Sequence, residues 1–216
     1  QSDGKILVGG SFSSYQGGTN NGIIRLNSDG SKDTSFITGV GFNSIVWTIA
    51  VQNEGKIIVG GLFTSYQGVT NYFIIRLNSN GSKDTSFNSG SGFNSTVDTV
   101  AIQSDGKILV GGWFSSYQGT TENRIIRLNS NGSKDTSFNS ESGFNISNGN
   151  SSGNVTQPVR DIVIQNDGKI LVGGDFYTYK DVNESSLLIK LYGNASLETE
   201  TFNDLKALIV YPNPAK

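Results

Sequence analysis

Asp3-Gly-Lys-Ile-Leu-Val-Gly-Gly10 returns along the chain as Glu54–Gly61, Asp105–Gly112 and Asp167–Gly174. The first two offsets are 51 residues and the third is 62. A second string follows each copy: Ile23-Ile-Arg-Leu-Asn-Ser-Asp-Gly-Ser-Lys-Asp-Thr-Ser-Phe36. It recurs as Ile74–Phe87 and Ile125–Phe138, and decays to Leu188-Ile-Lys-Leu-Tyr-Gly-Asn194 in the fourth unit. Self-similarity at such a period marks a repeat architecture, in which each unit buries its apolar face against the next.

Each unit reads as four short strands. In the second, Val46–Gln52 forms strand one and Asn53-Glu-Gly55 a turn. Lys56–Phe63 forms strand two, and Thr64–Asn71 a polar loop. Tyr72–Asn78 forms strand three, and Asn80-Gly81-Ser82 a hairpin turn. A short strand four is expected around Asp84–Phe87, and in the fourth unit at Leu197–Phe202. Four antiparallel strands per unit of about 51 residues predict an all-β propeller of tandem blades. The competing architecture, a β-solenoid, has shorter coils without two hairpin turns per unit. The expected blades are an incomplete first one at 1–45, then 46–96, 97–158 and 159–203, with a linker and a new domain opening at 204–216. The first unit has no strand one, so the chain reads as a fragment of a larger ring with further blades before Gln1. Asp204–Tyr211 is the one segment here that a closed four-blade ring has for that strand.

Composition agrees with this reading. Of 216 residues, 35% are apolar and 16% charged, and Gly, Ser, Asn and Thr fill the gap. Those short polar residues compete with helical hydrogen bonds. Cys, His and Met are absent, which removes disulfides, thiolate chemistry and the commonest general base. A net charge of −2 without a basic patch speaks against nucleic acid as a partner, and no apolar run is long enough for a membrane span. No cofactor or metal motif stands out. Asn78–Asp84 is oxygen-rich but has no downstream Glu, and turn geometry accounts for its Asn-Gly.

Repeated residues suggest structure, and variable ones suggest function. Phe12, Phe63, Phe114 and Phe176, with Phe36, Phe87 and Phe138, are expected core. Arg25, Arg76 and Arg127 should pair with Asp33, Asp84 and Asp135, because a charge repeated on a strand needs a partner. Tyr15, Tyr66, Tyr117 and Tyr179 recur in the loop after strand two. They either pack beneath that loop with the hydroxyl on the backbone, or face a ligand. At the mouth of strand one the equivalent residues differ: Trp47, Asp98 and Arg160. After the Gly-Gly pair they are Ser11, Leu62, Trp113 and Asp175. Trp47, Asp98, Arg160 and Trp113 near a channel mouth make a candidate ligand site by stacking and hydrogen bonding; drift at exposed positions is the alternative. Asp98, Asp161, Asp175 and Asp181 are the unrepeated acids to weigh for catalysis. The inserted stretch within Ser142–Gln157 is a candidate recognition loop.

The two recurring strings resemble the bacterial delta-60 repeat family across roughly Gln1 to Phe202. That resemblance implies propeller blades, an exported or surface protein, and no family-wide catalysis. Leu208-Ile-Val-Tyr-Pro-Asn-Pro-Ala215 resembles the opening of a type A sorting domain of type IX secretion. It implies that Tyr211, Pro212, Asn213 and Pro214 begin a secretion signal. The implied partners are the type IX outer-membrane translocon and its cargo shuttle protein. The implied location is the exterior or cell surface of a Gram-negative bacterium. The expectation is a binding module for a glycan or protein ligand, not an enzyme. The alternative is a secreted polysaccharide-active enzyme whose site lies in the channel or in further blades.

Overall fold

The computed structural model describes residues 1–140, 143–145, 158–176, 178–179, 182–183, 188–193 and 199–201. The sorting motif at Tyr211–Pro214, the linker from Asp204, Asp181 and most of the insertion before the fourth unit lie outside them. The described chain is all-β and built from tandem propeller blades.

The first unit holds β1 (Ile6–Gly9), β2 (Ser14–Tyr15), β3 (Gly18–Thr19) and β4 (Ile23–Leu26). The second holds β5 (Val46–Val51), β6 (Ile57–Gly61), β7 (Ser65–Tyr66), β8 (Val69–Thr70) and β9 (Ile74–Leu77). The third repeats this as β10 (Val97–Ile102), β11 (Ile108–Gly112), β12 (Ser116–Tyr117), β13 (Thr120–Thr121) and β14 (Ile125–Leu128). After β15 (Phe144–Asn145), the fourth has β16 (Val159–Ile164), β17 (Ile170–Gly174), β18 (Thr178–Tyr179), β19 (Val182–Asn183), β20 (Leu188–Leu191) and β21 (Thr199–Thr201). The main sheets are antiparallel, in the orders β1-β4, β5-β6-β9, β10-β11-β14 and β16-β17-β20-β21. Strand one of each full blade packs beside strand one of the next, β5 against β10 and β10 against β16.

Two expectations need correction. The polar loop after strand two is a small hairpin: β7 pairs with β8 across Gln67-Gly68, both at positive φ, the geometry of a type I′ turn. Strand four is also shorter than expected in the first three units. Pairing shrinks to single bridges, Leu26↔Lys32, Leu77↔Lys83 and Leu128↔Lys134. Beyond Lys83, the Asp84 carboxylate accepts from the Ser86 amide at 3.0 Å and the Ser86 hydroxyl at 2.7 Å. That side-chain turn diverts the backbone from the ladder. Only β21, within the expected Leu197–Phe202, forms a paired fourth strand.

The Gly-Gly pair after strand two sets both packing distances. A Cβ on Gly60 would meet Val97 Cγ1 of the next blade at 2.5 Å. Gly9 and Gly111 meet Val46 and Val159 in the same way, at 2.6 and 2.5 Å. A Cβ on Gly61, Gly112 or Gly174 would strike the carbonyl oxygen of Ile45, Thr96 or Pro158, at 2.2 to 2.3 Å. Thus the first glycine lets blades approach and the second lets strand one enter its own sheet.

Around this frame the core is aromatic and aliphatic. Phe42 packs on Phe63 and Tyr66 with ring centroids at 4.3 and 4.5 Å, and Phe93 and Phe144 repeat the trio. The expected Arg–Asp pairs are present and buried. Arg25, Arg76 and Arg127 Nε donate to Asp33, Asp84 and Asp135 at 2.6 to 2.7 Å. Lys5, Lys56 and Lys107 join the same carboxylates. Each guanidinium also lies over Phe36, Phe87 or Phe138, 4.7 to 5.0 Å from the centroid. Arg25 then crosses to the next blade and donates to the Ser79 carbonyl, as Arg76 does to that of Ser130.

Replacing Arg76 with Ala strands a buried carboxylate and severs the tie to Ser130. We expect a loss of about 3–5 kcal/mol in urea unfolding. Hydrogen bonds and cations hold the Asp33, Asp84 and Asp135 carboxyls far below the usual carboxylate value; at Asp84 and Asp135 they outweigh a larger opposing effect of burial. Carboxyls depressed in the fold contribute stability above their unfolded value of ~3.9, and that stability is lost as pH falls through the folded value. The thermal midpoint should therefore fall steadily once pH drops below about 4.

Candidate functional site

Each full blade carries one residue too many at the mouth of strand one. Val46 pairs with Gly61 and Thr48 with Gly60, which leaves Trp47 as the extra residue of a β-bulge. Asp98 occupies the same place between Val97 and Thr99, and Arg160 between Val159 and Asp161. A bulge of this kind re-aims a side chain away from the ladder. Its cause is local: the strand folds over the second glycine, where a side chain has no room. The Leu62, Trp113 and Asp175 amides then donate back to Ile45, Thr96 and Pro158 at 2.9, 3.0 and 3.1 Å.

These positions converge. Trp47, Leu62, Ser95, Thr96, Asp98, Trp113 and Arg160 line one cleft of about 490 Å³. Trp47 and Leu62 form its apolar side and are 56% and 41% exposed. The polar side is a connected network. Asp98 accepts from the Thr96 hydroxyl at 3.0 Å and from the Trp113 indole N–H at 3.0 Å. Arg160 Nη1 lies 3.7 Å from Asp98, while its Nε donates to Asp175 at 3.1 Å. The guanidinium sits over Trp113, 5.5 Å from the ring. Burial pushes the Asp98 carboxyl above its usual value, against the opposing pull of Thr96, Trp113 and Arg160.

Of the sequence candidates, Trp47, Asp98, Trp113 and Arg160 thus meet in one place. The tyrosines do not join them. Tyr66, Tyr117 and Tyr179 are buried in the aromatic trios. Tyr15, Tyr66 and Tyr117 donate their hydroxyls to the Gly30, Gly81 and Gly132 carbonyls at 2.6 to 2.7 Å. The geometry gives them the packing role and removes them from the ligand site. Leu62, Ser95 and Thr96 were missing from the sequence candidates as site residues. Leu62 was at least visible as a variable position after Gly-Gly, whereas the bulge that turns these positions inward leaves no mark in the repeat except the second glycine. Among the described residues, Asp161 and Asp175 are absent from the lining of the cleft that holds Asp98. Asp175 faces Arg160, and Asp161 turns toward the Thr99 hydroxyl at 3.5 Å.

The family described as a domain of unknown function, DUF5122 beta-propeller, matches residues 1–36, 52–87, 103–138 and 165–191. The chain belongs to this family. A search of curated proteins finds no match. Among solved structures, the extracellular domain of the one-component system BT4673 from B. thetaiotaomicron is similar at 14% identity and a TM-score of 0.43. That alignment covers 88% of this chain and 21% of the other. The DUF5122 matches contain Leu62, Trp113 and Asp175, while Trp47, Asp98 and Arg160 fall between the matched segments. The matched segments therefore include the glycine pairs and stop short of the bulged residues.

Asp98 titration should be visible in Trp113 emission, because the indole N–H is bonded to its carboxylate. In a Trp47→Phe background we expect an inflection above ~3.9, the ordinary carboxylate value, and its disappearance in Asp98→Asn. The linkage runs opposite to that of the core aspartates. A raised folded value contributes stability at low pH that is lost as pH rises through it.

Proposed function

We propose that this DUF5122 propeller is an exported or cell-surface binding module whose ligand seats in the Trp47–Asp98–Trp113–Arg160 cleft. One observation carries the reading. The blades repeat their glycines, Arg–Asp clasps and aromatic trios, yet the differing residues at the bulge of strand one, Trp47, Asp98 and Arg160, meet in a single cleft with Leu62 and Trp113. A large exposed indole beside half-buried hydrogen-bonding groups is the make-up of a binding site, with an apolar wall for area and a few polar atoms for orientation. The cleft volume lies within the ~300–1,000 Å³ of small-molecule sites.

Export by type IX machinery is part of the same proposal. It rests on the Leu208–Ala215 motif that follows the last blade. The translocon and its shuttle are the proposed partners of that segment, and the propeller is the cargo. Absence of catalysis is likewise proposed: Asp98 is the carboxylate at the cleft, and its oxygens are engaged by Thr96, Trp113 and Arg160.

Two measurements test this. Tryptophan emission and calorimetry with soluble polysaccharides should reveal binding without release of reducing ends, and Trp47→Ala should weaken it at least tenfold, about 1.4 kcal/mol. New reducing ends would turn the reading to an enzyme. Deletion from Asp204 onward should abolish export in a type IX-competent host and leave the unfolding curve unchanged.

A further inference from the structure

We infer that the cleft selects uncharged pyranose rings and excludes acidic glycans; this rests on the binding reading above. The one cation that lines the cleft, Arg160, is already engaged by carboxylates. Arg160 bridges Asp98 at 3.7 Å and Asp175 at 3.1 Å, so one cation faces two carboxylates. An arriving uronate or sulfate must compete with both for a single guanidinium. An arriving cation must displace Arg160 from its seat over Trp113.

What remains unspent suits hydroxyl groups, which both donate and accept. A guanidinium has five N–H donors, and those of Arg160 not used by Asp98 and Asp175 stand at a side chain that is 53% exposed. The Thr96 hydroxyl gives its proton to Asp98 and keeps its lone pairs free to accept. Asp98 is committed on both oxygens, by Thr96 on one and by Trp113 and Arg160 on the other. Donors and acceptors are therefore mixed along one wall, and the charge left over from one guanidinium and two carboxylates is negative, which repels an acidic glycan. Opposite them stand Trp47 and Leu62, exposed and apolar. A pyranose has this two-sided chemistry: an apolar face of C–H groups for the indole, and a rim of hydroxyls for the network.

The positions after Gly-Gly support a built site. Leu62 and Trp113 stand where the first blade has Ser11, so the second blade supplies the apolar Trp47 and Leu62 while Trp113 of the third anchors the polar network. Asp175 from the fourth blade holds the far side of Arg160 and adds a second carboxylate to it.

The experiment compares the described chain's affinity for neutral and acidic polysaccharides of similar length, for example laminarin and mannan against alginate and polygalacturonate. Calorimetry is run at low and high salt. We expect neutral glycans to bind at least tenfold tighter, with little salt dependence. We also expect Asp175→Asn, which frees one side of Arg160, to narrow that preference by raising the affinity for the acidic pair. Equal or tighter binding of the acidic glycans, still lost in Trp47→Ala, would overturn the selectivity and leave the binding module standing. If no polysaccharide of either kind binds, both readings fall.

Discussion

The second and third blades depend on two adjacent positions where no Cβ fits. At Gly60 the missing side chain lets Val97 of the neighbouring blade settle against the sheet. At Gly61 it lets the carbonyl of Ile45 come within 2.2 Å of where a Cβ would stand. The same pair does the same work at Gly111 and Gly112. Close packing of this kind leaves little tolerance, since even one methylene is felt in a dense interior. Blade spacing and the bulge at strand one are thus consequences of one dipeptide.

The bulge separates the residues that hold the blades from those that line the cleft. Residues that hold blades together lie in the ladders, the aromatic trios and the buried Arg–Asp clasps. Trp47, Asp98 and Arg160 are each the one residue of strand one without a ladder partner. Their side chains can change without breaking a pair. The network among Asp98, Trp113 and Arg160 spans the third and fourth blades and, with Trp47 from the second, makes one surface from three copies of one position.

The recurrence of the Asp-Gly-Lys-Ile-Leu-Val-Gly-Gly string made the blades legible, because tandem strands with fixed turns leave period and spacing in the sequence. Variation at Trp47, Asp98 and Arg160 made the site legible as a contrast against repetition. Two things were not. The short fourth strand was overestimated because Asp84 spends its carboxylate on Ser86 and Arg76, a choice that strand propensity does not reveal. The tyrosines recur like a functional signature, but Tyr66 recurs because its hydroxyl answers the Gly81 carbonyl. A repeated polar atom on a repeated backbone group is invisible until the chain is folded.

The arginines that reach from one blade to the next, Arg25 to Ser79 and Arg76 to Ser130, point the same way along the chain. The first and second blades are therefore each fastened to their successor by a group they carry themselves. A duplicated unit inserted into such a series arrives with its own fastening and with a socket for the one before it. It also arrives with one more bulge, whose residue is free to differ. Growth by duplication then lengthens the scaffold and adds a variable position in the same event, and a new side chain there needs only a change of one letter in a frame that already folds.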